Sequence, residues 1–357
     1  MSCLVVSYNQ PKFDAYASWS ANAITFANIG LVGGNPFGIY ITTNNTIYVA
    51  DRANGRIQIW SNDSINPTRT ISGGLSFPMS LFVTADGEIY VDNGASNGRV
   101  DKWTLNANTS VPVMYVSGAC FGLFVDISNT LYRSMANSHQ VVTKSLSSNS
   151  NTTTIIAGTG CIGSSSNMLY YPHGIFVDIN LDLYVADSDN NRIQLFRPGQ
   201  LNAITVAGNE SLNTTITLNY PTGIVLDADK YLFIVDRNNH RIVGSGPNGF
   251  RCLFGCFGAG PASNQLLYPW SLSFDSHGNM FVTDNRNSRI QKFILSTNSC
   301  GTYKNILFNS EKLFLGPTDR TIPLSVVWIV IIFRTISFLI VDYLTMYKVC
   351  IEFSQSF

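Results

Sequence analysis

The chain has 357 residues, and Lys plus Arg balance Asp plus Glu at 22 each. Charged residues make up only 12%, roughly half the usual share, so no global basic field exists for a nucleic-acid partner. An aromatic content of 12% with 28 Gly and 13 Pro favours a turn-rich all-β chain over a helical one.

Residues 1–22 form an N-terminal segment whose apolar run, CLVV, is too short for the core of a signal peptide. Residues 23–28, AITFAN, read as a strand. One pattern then returns six times: TIYVADRANGRIQIW from Thr46, EIYVDNGASNGRVDKW from Glu88, TLYRSMANSHQVVTK from Thr130, DLYVADSDNNRIQLF from Asp182, YLFIVDRNNHRIVGS from Tyr231 and NMFVTDNRNSRIQKF from Asn279. The matching aromatics Tyr48, Tyr90, Tyr132, Tyr184, Phe233 and Phe281 recur every 40 to 50 residues or so, a period of propellers and solenoids.

Five units open with a Pro-x-Gly/Ser turn into a short apolar strand, as in PFGIYI from Pro36 or PHGIFVD from Pro172; the third has CFGLFVD from Cys120. A second strand, an Asp/Asn turn, a third strand of the RIQLF type and a fourth strand ending in small residues complete each unit. Four strands per unit make a propeller blade. AITFAN has the pattern of a fourth strand, like AITVAG at 203–208, yet precedes the first unit. It is therefore expected to complete the sixth blade and close the ring, removing free sheet edges.

The repeat Pro-x-Gly-Ile/Leu-x-Val-Asp followed by Leu/Ile-Tyr-Val-Ala-Asp-x-x-Asn-x-Arg-Ile resembles the NHL repeat. The resemblance implies an all-β, six-bladed β-propeller (NHL/TolB-like) over residues 23–296. It also implies three kinds of activity: a non-catalytic module that binds a ligand or protein, a propeller lyase or hydrolase related to peptidyl-amidoglycolate lyase, or an RNA-binding propeller. Function must then be argued from the site, because one fold hosts many activities.

Asp and Arg stand five apart in four units, as Asp51/Arg56, Asp187/Arg192, Asp236/Arg241 and Asp284/Arg289; the second unit has Asp92 and Arg99 around an insertion, and the third has Met135 and Gln140. A catalytic carboxylate is needed once or twice, whereas a pair repeated around a ring answers a repeated structural need. Asp187, Asp189 and Asn191 alternate like the first ligands of a calcium loop. However, Arg192 and Pro198 stand where an EF-hand requires Gly and Glu.

The residue before each inner-strand Gly/Ser is expected to point into the funnel: Phe37, Met79, Phe121, His173, Thr222 and Trp270. This apolar and aromatic set suits a protein, glycan or small apolar ligand. Of the four histidines, only His173 takes a funnel position; His139, His240 and His277 fall in turns. Catalytic zinc normally takes three protein ligands, so a His-based metallo-lyase is disfavoured, and no metal or cofactor is expected. RNA binding is disfavoured because most basic residues are the turn arginines, balanced by aspartates.

Cys252 and Cys256 are close enough to form a disulfide, and the sequons at Asn44, Asn62, Asn108, Asn151, Asn209 and Asn213 point to a glycosylated chain outside the cytosol. Residues 297–323 read as a linker. Residues 324–346 are apolar and long enough to span a bilayer, although Arg334 lies near the middle. A tail of 347–357 follows. The expectation is a single-pass, monomeric protein with its propeller extracellular or luminal, a cytosolic tail-anchored form being the alternative.

Overall fold

Repeat by repeat, the chain folds into antiparallel four-stranded sheets, six of them among the described residues. The structure is a computed structural model that describes residues 8–297 apart from 15, 62, 95–97, 105–108, 116–117, 119, 149–150 and 212–215. Blade 1 comprises Ile39–Ile41, Ile47–Asp51, Arg56–Trp60 and Arg69–Ser72, and blades 2 to 5 follow in sequence order to Gly249–Phe254. Blade 6 contains Leu272–Phe274, Met280–Asp284 and Arg289–Phe293, and its outermost strand is Ile24–Ala27, which pairs with Arg289–Phe293 in the register Ile24 to Lys292. Each inner strand touches the inner strands on either side, and blade 6 meets blade 1, so the blades form a ring.

Burial explains the composition of each strand. Inner strands such as Ile39–Ile41 and second strands such as Leu183–Asp187 are buried at every residue, because neighbouring blades cover both faces. Outer strands such as Thr154–Ala157 are largely exposed. The Gly of Pro-x-Gly is required by close approach. A Cβ on Gly38 would lie 2.9 Å from the Met79 carbonyl oxygen; at Gly122 and Gly174 it would strike the carbonyls of His173 and Thr222 more closely still. The inner strands therefore meet backbone to backbone at the narrow end of the ring.

The repeated Asp and Arg make a clamp at the turn between second and third strands. Asp187 Oδ2 accepts from Arg192 Nε (2.7 Å) and Asn190 Nδ2 (2.8 Å), while its Oδ1 accepts the Tyr170 N–H (2.6 Å) from the incoming loop. The pairs Asp51/Arg56 (2.6 Å), Asp236/Arg241 (2.7 Å) and Asp284/Arg289 (2.7 Å) meet in the same way. The expected Asp92/Arg99 pair does not form. The insertion moves Arg99 onto Asp101 (2.8 Å), and Asp92 instead accepts from Arg133 Nη2 of blade 3 (2.9 Å), both side chains being fully buried. Blade 3, which has Met135 where the others have Asp, thus carries the arginine that neutralises its neighbour's carboxylate.

Cys252 and Cys256 are bonded to each other. Asn44, Asn151 and Asn209 are exposed, whereas Asn62, Asn108 and Asn213 lie outside the described residues. The candidate span 324–346 also lies outside them; among the described residues no helix is long and apolar enough to cross a membrane.

The close approach of the inner strands is testable. Gly174→Ala should lower stability by about 1–3 kcal/mol through overpacking. Gly34→Ala, whose Cβ would meet nothing within 4 Å, should leave the urea midpoint unchanged.

Candidate functional site

The funnel positions converge on the ring axis but form a plug. Phe37, Met79 and Trp270 are buried together, with Phe121 half-buried against them. Ring centroids lie 4.3 Å apart for Phe37–Trp270 and for Phe121–His173, and 5.4 Å for Phe121–Trp270. Thr222 turns its hydroxyl onto the Trp270 carbonyl (2.8 Å). His173 is 1% exposed, lies among Phe121, Tyr171, Tyr220 and Trp270, and has no hydrogen-bond partner at either ring nitrogen. Burial, with a contribution from the Arg237 charge, pushes its pKa down to about 3.

Above the plug stands an aromatic collar. The residue preceding the inner-strand proline is Phe77, Tyr171, Tyr220 or Tyr268 in four blades, and each has a left-handed backbone, with φ of 54°, 55°, 57° and 47°. Such conformations cost a bulky residue about 1–3 kcal/mol, and they gather at sites where function needs them. The preceding blade holds three of the four in place. The Tyr171 N–H donates to His139 Nδ1 (3.2 Å), the Tyr220 N–H to Asn191 Oδ1 (2.8 Å) and the Tyr268 N–H to His240 Nδ1 (3.0 Å). His139 and His240 are therefore inter-blade clips, each accepting at Nδ1. Burial foremost, then the Arg237 charge, lowers the His240 pKa and favours its neutral form.

Two arginines at one repeat position lie across these rings. The Arg52 guanidinium sits 5.0 Å from the Phe37 centroid and 5.1 Å from that of Phe77. Arg237 sits 5.4, 5.0 and 5.1 Å from Tyr220, Tyr268 and Trp270. Neither makes an ion pair among the described residues, and the Nε of each is buried without a partner. Burial and the neighbouring Arg286 charge lower the Arg237 pKa.

At the opposite end Tyr8 packs on Phe82, Phe124 and Phe176, while Asn9 donates to the carbonyls of Thr42 (2.9 Å) and Phe274 (3.0 Å). The channel between the two ends encloses a cavity of about 100 Å³. Among the described residues no group of three His, Cys, Asp or Glu side chains could hold a metal ion. The collar and its arginines were missed by reading inward from Pro-x-Gly. The visible signal was the aromatic before that proline, as Phe77-Pro, Tyr171-Pro, Tyr220-Pro and Tyr268-Pro.

A family model described as the NHL repeat matches residues 34–60, 169–196 and 266–293. No curated protein matches the chain. Among solved structures it is similar to a protein of unknown function from Bacteroides thetaiotaomicron, with a TM-score of 0.61, 15% identity, and coverage of 82% of this chain and 76% of that one. It is also similar to virginiamycin B lyase from Staphylococcus aureus, with a TM-score of 0.54, 13% identity, and coverage of 78% and 100%. An auxiliary nutrient binding protein from Bacteroides thetaiotaomicron gives 0.53 at 16% identity, covering 82% and 76%. At these identities the likeness concerns the fold alone.

The buried His173 predicts an acid-sensitive plug. Its pKa in the folded chain lies below the ordinary 6.5. The stability it contributes is therefore present above about 6.5 and lost as pH falls toward about 3. His173→Phe should leave stability at pH 7 equal or higher, and its advantage over the natural chain should widen between pH 6.5 and 4 in urea denaturation. A constant difference across that range would refute the assignment.

Proposed function

Since the chain belongs to the NHL-repeat family of β-propellers, we propose that it is a non-catalytic binding module whose mouth face takes a protein, glycan or small apolar ligand. One observation carries this reading: four aromatics held in a left-handed conformation at equivalent positions around one mouth, three of them by side chains of the preceding blade. The left-handed turn itself belongs to the repeat, since Asn35 before Pro36 has it too, with φ of 55°; what points to recognition is that the other four prolines are preceded by a bulky ring, the costlier residue there. The plug of Phe37, Met79, Phe121, His173, Thr222 and Trp270 is the floor of this surface. The histidines argue against a His-bound catalytic metal, because His139 and His240 commit Nδ1 to backbone N–H groups and His173 is buried alone.

The same reading takes the pairing of Ile24–Ala27 with Arg289–Phe293 as the closure of the ring. It treats the buried Asp/Arg clamps as structural. It places the propeller outside the cytosol, glycosylated at exposed asparagines such as Asn44 and Asn209, and anchored as a monomer by residues 324–346.

Two experiments test it. Tyr220→Gly with Tyr268→Gly removes two rings while relieving backbone strain. The thermal midpoint should hold or rise, while binding of hits from a panel of aryl glycosides and short peptides should fall about tenfold or more. Unchanged binding would overturn the collar as the recognition surface. For the anchor, the full chain should stay with membranes through alkaline extraction and require detergent for release; release by alkali alone would remove the anchor from the proposal.

A further inference from the structure

Two sets of arginines in this propeller, each at a repeat position, behave differently. Arg56, Arg192, Arg241 and Arg289 are tied to buried aspartates and have no charge to offer a ligand. Arg52 and Arg237 occupy one equivalent position, directly after the clamp aspartates Asp51 and Asp236. In blades 4 and 6 that position holds Ser188 and Asn285, which donate to the carbonyls of Pro221 (2.6 Å) and Pro36 (2.9 Å). There the side chain staples one blade to the next. Arg52 and Arg237 have turned away from that role to lie over aromatic rings.

They lie over one platform. Arg52 covers Phe37 and Arg237 covers Trp270, and those two rings are in contact at 4.3 Å. Arg237 Nη1 donates to the neutral Asn238 Oδ1 (3.0 Å); a guanidinium edge matches a planar carboxylate in a two-pronged hydrogen bond, a stronger partner than an amide oxygen. Removing a guanidinium from water without a counter-charge is unfavourable, so a partly buried Arg237 among three rings, with a neutral acceptor and no ion pair among the described residues, favours an anion. A second observation lies beneath: His173 keeps one donor and one acceptor unused, roofed by Phe121, the one plug ring left half-exposed.

We infer that the mouth is a carboxylate-binding site, in which Arg52 and Arg237 take the acid group of a ligand whose aromatic or apolar body stacks among Tyr220, Tyr268 and Phe77. The inference rests on the collar being the recognition surface and adds the charge of what it recognises. A carboxylate is favoured over a phosphate because the surroundings are apolar and a doubly charged group costs more to desolvate. Such an acid group occurs on a free organic acid or at the C-terminus of a peptide.

The test is isothermal titration of the full chain with 3-phenylpropionate and with its neutral amide, and with the peptide Gly-Gly-Gly-Phe bearing a free or an amidated C-terminus. The acids should bind at least about tenfold more tightly than the amides. Arg52→Gln with Arg237→Gln should abolish that preference, acid and amide then binding alike. Whichever acid binds more tightly identifies the source. Equal binding of acid and amide, a preference that survives the double variant, or no binding by either acid would overturn the inference. So would tighter binding of phenyl phosphate or of a single-stranded oligonucleotide. Amide binding that depends on Tyr220 and Tyr268 without any acid preference would overturn the carboxylate alone and leave the collar standing. Acid preference insensitive to those tyrosines would instead remove the collar.

Discussion

A buried carboxylate at the corner of blades 4, 5 and 6 sets the geometry of the mouth. Asp187, Asp236 and Asp284 are fully buried, and each presents one oxygen to its arginine and the other to a backbone N–H of the incoming loop. Those N–H groups belong to Tyr170, Asn219 and Leu267, the residues just before the collar tyrosines. In blade 2 Asn93 Oδ1 takes the same place on Ser76, just before Phe77. The collar residue's own N–H is in three cases tied to the preceding blade. Each tyrosine is thus fixed by two adjacent residues, one bonded to its own blade and one to its neighbour. That double fixation is how a strained backbone conformation persists at a partly buried rim.

The electrostatic cost of these corners is met locally. Burial raises the pKa of Asp187 and Asp284, and hydrogen bonds from asparagine, backbone and arginine work in the opposite direction. In blades 1, 4, 5 and 6 the clamp charges cancel within the blade, while Asp92 of blade 2 is met by Arg133 of blade 3. Arg52 and Arg237 stand outside the clamps, with the Arg286 charge acting on Arg237 and the Asp189 charge acting on Tyr220, in a chain of zero net charge.

Much of this was legible in the sequence because a propeller repeats its constraints. The period, the four strands per unit and the Asp/Arg spacing all reflect contacts within one blade, and local contacts leave local patterns. The Pro-x-Gly signature was legible too, although its cause, the meeting of inner-strand backbones, is visible only in three dimensions. Contacts between blades were not legible. Arg133 neutralises Asp92 across 41 positions, and nothing in TLYRSM announces it. His139 and His240 looked like turn residues, and their acceptor role depends on a neighbour about 30 residues away in sequence. The collar escaped for a different reason: a residue before proline is expected to be extended, and nothing in Phe77-Pro, Tyr171-Pro, Tyr220-Pro or Tyr268-Pro shows the left-handed backbone that these residues adopt.

The arrangement of the first residues has a consequence for how the chain reaches this state. Asn9 bonds to Thr42 and Phe274, Pro11 accepts from Ala228, and Ile24–Ala27 adds to a sheet whose other strands lie between residues 272 and 293. This segment, made before the six blades, can find most of its partners only after nearly the whole propeller has been made. Until then its strand and the edge of the last blade both stay open. Blades 1 to 5 can form in order as local hairpins, but the final step joins segments more than 250 residues apart. Such a step is slow, because loop closure must precede any gain from the contact. Folding of this chain is therefore governed less by the strength of any blade than by the time its first strand waits for its last.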